Sequence, residues 1–268
     1  MSAEVMDAKA GTRTRTGAVA RLAALGRAEL TLLARNKTVM FMALAMPIGM
    51  AFAMRQAVRQ MPLTDTGLTV GTVLLPATIG FVLIFGVYSG LTGTFVARRE
   101  ELVLKRLRCG ELTDPEILAG TALPTVAIGL AQCVLLAACG GLLLDADPPH
   151  APHLLLAGVV IGMVLAVGLA AASASFAKTT DSAQLTVMPL MMLSCGGSGM
   201  IVPLDIMPDQ VARVLELLPM SPVIALVREG WTGGAGAGDV LKQLAIGLVW
   251  TGLTVLAVRR RFRWEPRR

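Results

Sequence analysis

Charge is scarce in this chain. Only 16% of its 268 residues are Asp, Glu, Lys or Arg, against about 25% in an ordinary soluble domain. Aromatic residues make up 4%, and there are two histidines. The low charge argues against a water-exposed globule, and the shortage of rings removes the stacking platforms on which nucleic-acid binders depend. The histidines, His150 and His153, share one polar stretch, DADPPHAPH, which leaves no imidazole for a site elsewhere. Of four cysteines, Cys133, Cys139 and Cys195 lie in apolar runs and Cys109 in a basic segment. None has metal-ligand spacing, so structural thiols are expected rather than a disulfide framework or a metal centre.

What the chain does have is apolar length. Hydrophobic residues make up 54%, gathered in long uncharged runs, and about 20 such residues cross a bilayer core as a helix. Six segments qualify, at 38–54, 68–97, 117–144, 154–177, 182–204 and 240–258. No apolar core precedes the first of them, so the leading residues are not expected to be a cleavable signal. The expected fold is an all-α polytopic membrane protein occupying 17–258, with a polar, disordered tail at 1–16 and a basic tail at 259–268. Before the first span, Val19, Leu22, Leu30 and Leu33 share one helical face opposite Arg27 and Arg35, which predicts an interfacial helix.

Basic residues sort the loops into two sets. Taking loops alternately, the N-terminal segment, the 98–116 loop, the turn at Lys178 and the C-terminal tail hold nineteen Lys and Arg. The intervening loops hold four. The positive-inside rule places the nineteen in the cytoplasm and both termini with them, which requires an even number of spans. The basic excess is thus assigned to topology and anionic lipid contact, with no nucleic-acid partner expected. The span centres hold no ionisable residue, which argues against an ion-coupled carrier.

Two motifs invite an enzymatic reading. Ala177-Lys178-Thr179 resembles the end of a phosphate loop, but the positions needing glycine hold Ala172 and Ala177, so the backbone lacks the freedom to surround phosphates. The stretch LSCGGSGMIVP places Ser198 among Gly196, Gly197 and Gly199, the spacing around an intramembrane serine nucleophile. A base is missing, because both histidines lie at the membrane surface. Glycines weaken a helix by about 1 kcal/mol each, so the motif is expected to break the fifth span, with Ser198 bonding its own backbone. An intramembrane hydrolase using Ser198 remains the enzymatic alternative, and a passive membrane anchor a third reading.

The outer loop after this break carries Met207, Val211, Val214, Leu215 and Leu218 at helical spacing. A short extracellular helix is expected there, begun at Pro208 and carrying the pairs Asp209–Arg213 and Arg213–Glu216. On the inner side, ARREELVLKRLRCGELTDPEILAG, 97–120, predicts a short charged helix continuing the second span and ending near Gly110. A helix joined rigidly to a span can act as a lever for a soluble partner.

This last segment resembles the type-2 family of ATP-binding-cassette transporter permeases. Its drug-exporter-like members carry Arg-Glu-Glu-Gly-x-Leu-Lys-Arg-Leu-Arg, then Thr-Pro, then Leu-Ala-Gly at the third span. Arg99, Glu100, Glu101, Leu104, Lys105, Arg106, Leu107 and Arg108 match, as do Leu118, Ala119 and Gly120; Leu102 replaces the glycine, and Cys109-Gly110-Glu111 replaces the Thr-Pro neighbourhood. The stretch GSGMIVPLDIMPDQVARVLELLPMSPVIALVREGW resembles the family's broken fifth span, short extracellular helix and approach to the last span. The resemblance implies a drug-export permease of the antibiotic-resistance kind, working as a homodimer with two cytosolic ATPase subunits. ATP and Mg are then expected on those partners and no cofactor on this chain. It also implies a path lined by the second and fifth spans, and ATPase coupling through Arg98, Arg99, Glu100, Glu101, Leu104, Leu107 and Arg108. Met42, Met46, Met50 and Met54, every four residues along the first span, are expected to be packing residues.

Overall fold

The computed structural model describes residues 31, 37–58, 70–109, 113–144, 148–200, 204, 207–262 and 264–265. The expected tail at 1–16, nearly all of the expected interfacial helix and the expected stop near Gly110 lie outside them. Among the described residues the regular structure is helical. Helix α1 is Lys37–Val58. A central rod follows: α2 at Val70–Phe81, a π-helical segment at Val82–Ser89 and α3 at Gly90–Glu100. Then come α4 at Val103–Arg108, α5 at Asp114–Leu144, α6 at Pro152–Ala174 and α7 at Thr180–Gly197. The chain closes with α8 at Asp209–Leu215, α9 at Ser221–Thr232 and α10 at Ala237–Arg261.

Four of these stretches, the rod, α5, α6 and α10, are long and apolar enough to cross a membrane. Their burial differs sharply: 78% of the rod's most apolar stretch lies inside the bundle, against 11% for α10. Leu74, Leu75, Ile79, Leu83, Ile84, Val87, Leu91 and Phe95 of the rod form the middle of the core. The outer faces of α6 and α10 leave Leu156, Val160, Leu248, Val249 and Leu253 exposed, as helices in hydrocarbon do. Inside such a bundle, contact comes from close packing rather than from expelled water. In α1, Met54 packs on the core and Met50 is half-buried. The side chains of Met42 and Met46 lie outside the described set.

The largest departure from expectation is α9. The stretch 205–239 was expected to be a surface loop with one short helix, yet its second half forms a buried helix. Pro222, Val223, Ile224, Leu226, Val227, Gly230 and Trp231 are all inside, packed on α6 and α2. At 12 residues it is about 18 Å long and too short for a hydrocarbon core of ~30 Å. It approaches α6 so closely that a Cβ on Gly230 would collide with the backbone nitrogen of Leu155.

Contacts sort the connections into two ends. At one, Arg99 and Glu100 reach the α6–α7 turn and Lys105 reaches Glu265 beyond α10. At the other, the amides of His150 and Ala151 donate to the carbonyls of Trp231 and Gly230, and Lys242 pairs with Glu216. Among the described residues, these connections fall into the same two groupings as the charge count; the N-terminal segment and most of the loop after α1 lie outside the described set.

Candidate coupling site at the charged end of the bundle

Helix α3 ends in two adjacent residues of opposite charge, and each finds the helix terminus that suits it. Arg99 was expected on the surface as a partner contact. It is instead 1% exposed, and its guanidinium donates to the carbonyls of Ala174 at 2.8 Å, Ala177 at 2.6 Å and Lys178 at 3.5 Å. Ala174 ends α6 and the other two follow it in the turn, so the guanidinium sits at the C-terminus of α6, where carbonyls lack helical partners and the macrodipole favours a cation. The Glu100 carboxylate accepts from the backbone amide of Thr180 at 3.2 Å and from its hydroxyl. Thr180 opens α7, whose N-terminus favours an anion. Thr179 and Ser182 complete a capping box at the same turn. Together Arg99 and Glu100 therefore fasten the end of the rod to both sides of the α6–α7 turn.

The same turn answers the phosphate-loop question. The amides of Lys178 and Thr179 both donate to Ser182 Oγ, each at 2.9 Å, and the carbonyls face Arg99. No inward ring of amides forms there.

Past Glu101 the expected continuous helix is interrupted. Leu102 has φ 59, the one non-glycine residue with positive φ among the described residues. Its carbonyl accepts from the Arg106 amide at 3.0 Å, which begins α4. The family pattern has glycine at this position, where a left-handed residue is needed; this chain makes the same joint with leucine. Leu104 is fully buried, a core anchor rather than a contact surface, and Leu107 is half-buried. Glu101, Leu102, Arg106 and Cys109 are exposed, with Arg98 intermediate.

Arg108 forks onto Asp114, with Nε to Oδ1 at 3.0 Å and Nη2 to Oδ2 at 3.3 Å. It also stacks over the Trp264 ring at 5.0 Å. Lys105 pairs with Glu265 at 2.8 Å, and that carboxylate raises the lysine above its ordinary value. A raised lysine stabilises the pairing below the free-lysine range, near 10.4, and the contribution is lost as pH climbs through the raised value. At the start of α5 the Glu116 carboxylate accepts from the Thr113 amide at 2.7 Å and from its hydroxyl at 2.9 Å, half of the reciprocal pairing of a capping box.

At the other end, α7 stops at Gly197 and Ser198 caps it, earlier than the expected limit of 204. Gly199 has φ +73. The expected self-bonding of Ser198 is not what forms. Ser198 is buried and its Oγ has no partner among the described residues, while the Gly199 carbonyl accepts from Arg228 Nη2 at 2.7 Å. Gly197 fits against Leu215 and Leu218, leaving no room for a Cβ, whereas Gly196 faces open space. His150 and His153 are exposed, so no imidazole meets the serine, and the hydrolase reading has no nucleophile–base contact to stand on.

The short outer helix spans Asp209–Leu215, with Pro208 as its N-cap. Its expected Arg213–Glu216 pairing gives way to a longer reach, since Glu216 meets Lys242 of α10 at 2.6 Å. The side chain of Asp209 lies outside the described set, and Arg213 is exposed. Trp250 Nε1 donates to the Leu217 carbonyl at 2.8 Å, a second tie to α10.

A family model described as ABC-2 type transporter matches residues 20–231. That stretch takes in the Arg99–Glu100 clamp, the left-handed joint, the break after α7 and nearly all of α9. No curated protein matches the chain. The family makes the chain a multi-pass membrane protein, the permease part of a transporter that associates with ATP-binding-cassette ATPase subunits. With most of its length matched, and with its charged loop and helix break both inside the matched stretch, the chain belongs to the ABC-2 type transporter family.

Proposed function

We propose that the chain is the permease subunit of an ATP-driven exporter of amphipathic drugs, antibiotics or lipids. Two copies pair in the plasma membrane, each crossing it six times with both termini in the cytoplasm. Two separately encoded ATPase subunits dock at the end carrying α4. ATP and Mg bind those subunits, and this chain supplies the path and the lever.

The observation that carries the reading is the clamp formed by Arg99 and Glu100. A push on α4 passes through it into the rod and, at the same point, into the turn joining α6 and α7. The rod and α7 are the spans expected to line the path, so a single input moves both walls. The exposed face of α7, with Leu185, Met188 and Met192 at helical spacing, offers an apolar surface beside the break for a second copy or cargo. The centres of the expected spans carry no charged residue, consistent with weakly specific amphipathic cargo.

The test is reconstitution with the ATPase that co-purifies with the tagged chain. Wild type should accumulate fluorescent amphiphiles in vesicles when ATP is added. Glu100→Gln together with Glu101→Gln should insert normally yet lose most of that accumulation. Leu104 is left intact because removing a buried leucine costs about 2–5 kcal/mol by itself. A passive anchor would give no ATP-dependent flux with any variant, including wild type.

A further inference from the structure

Helix α4 has six residues, and helices so short do not hold themselves together in water. Its orientation must come from outside. One anchor is Leu104 in the core and a second is the Arg108–Asp114 fork to α5. The third comes from the far end of the chain. Phe262 follows α10 directly, its amide bonded to the Val258 carbonyl at 2.9 Å. Its ring meets Phe95 of the rod edge-on at 6.1 Å and Trp264 at 4.9 Å. Trp264 lies under the Arg108 guanidinium, and Glu265 pairs with Lys105. Lys105 and Arg108 are three residues apart, so they share one face of α4, and both are held by the tail.

We propose that Phe262, Trp264 and Glu265 form a clasp that sets the angle of α4, making Trp264 and Glu265 positioning residues for ATPase coupling. The proposal rests on the exporter reading and extends it to α10, which the clasp brings into the transmission path. These residues lie beyond the matched stretch 20–231, so family membership does not supply the role. The tail was expected only to set topology by its charge. Because Leu104 and Asp114 still hold α4 when the clasp is gone, its loss frees the lever's angle without unfolding it. The Lys105–Glu265 pair is exposed and Arg108 lies over a half-buried Trp264, so each contact biases the closed arrangement by about two- to fivefold.

The first test needs no partner. In a Cys109→Ser background, Lys105→Cys with Glu265→Cys should be joined within one chain by a short bismaleimide, whose spacer replaces the reach of the two lost side chains; failure of that reagent to cross-link the pair in native membranes overturns the clasp outright. The second uses the full chain with its co-purifying ATPase in phosphatidylethanolamine–phosphatidylglycerol vesicles, reading ATP hydrolysis relative to the free ATPase. Trp264→Ala with Glu265→Lys should still bind the ATPase but lose about fivefold or more of the stimulation. Adding Lys105→Glu to Glu265→Lys should restore the pairing, and Trp264→Tyr should keep most of the coupling. Full stimulation by Trp264→Ala with Glu265→Lys, where wild type stimulates, overturns the positioning role and leaves the exporter reading standing. Absence of stimulation by wild type overturns both.

Discussion

Leu102 sits where an L-residue is strained, at φ 59 with its side chain 41% exposed. A left-handed leucine costs roughly 1–2 kcal/mol, and little packing offsets it. Glycine relieves that strain but loses about 0.5–1 kcal/mol of chain entropy. Leu102→Gly should therefore be neutral to stabilising by up to about 1 kcal/mol in thermal unfolding of the detergent-solubilised chain. Leu102→Val should be destabilising, because branching at Cβ worsens the same clash. Ser198 invites the opposite comparison with Arg228. A buried hydroxyl without a partner carries a desolvation penalty of about 1–3 kcal/mol, so Ser198→Ala should keep or raise the melting temperature. Arg228→Met leaves the Gly199 carbonyl bare and should lower stability by roughly 2 kcal/mol. Sequence located Ser198 and Arg99 but not their surroundings. A charge at a span end ordinarily faces water, and only the nearby carbonyls of Ala174 and Ala177 explain why Arg99 turns inward.

Among the elements, the π segment Val82–Ser89 is the most unusual. Such wide turns are rare, brief and frequent at functional sites, and this one lies mid-rod, holding the exposed Phe85 and the Tyr88 hydroxyl that hydrogen-bonds Ser173 at 3.0 Å. Each of its i→i+5 bonds encloses one residue more than an α bond would. Deleting Gly86 should let the segment close as α-helix while both flanks keep their faces. Expression and membrane insertion should survive, and permease-stimulated ATP hydrolysis should fall to the rate of the free ATPase. Undiminished stimulation would make the π turn a packing detail. The run 68–97 gave no hint of this, because its apolar composition suits either winding. Helix α9 has a legible signal in the sequence. Pro222 opens it, and Val223, Ile224, Val227 and Trp231 lie on one face, a periodic pattern obscured by Arg228, Glu229 and insufficient length to span. The spans themselves needed only length and hydropathy, which is why the rod, α5, α6 and α10 were found within a few residues of their ends.

For the molecule as a whole, six crossings require both α1 and α7 to join the four long apolar stretches, and α7 is the shorter of the two. Its 18 residues reach about 27 Å, just short of a hydrocarbon core of ~30 Å, and its first turns are polar. If α7 crosses, the turn at Lys178 and the turn at Gly234 lie on opposite sides of the membrane. If it does not, they share a side. Arg99 and Glu100 are bonded to the α6–α7 turn, so Lys178 must lie on the same side as Cys109. On the proposed topology, in which the nineteen basic residues face the cytoplasm, that side is the inner one. A membrane-impermeant maleimide should therefore label Cys109, which is exposed, in inside-out vesicles and spare it in right-side-out ones. In a Cys109→Ser background, Lys178→Cys should follow the Cys109 pattern and Gly234→Cys should reverse it. Cys133 and Cys195 are buried and sit within apolar helices, so they should remain unlabelled from either side. Labelling of positions 178 and 234 from one side would remove the crossing at α7 and, with it, an even count that keeps α4 and the tail on the ATPase side.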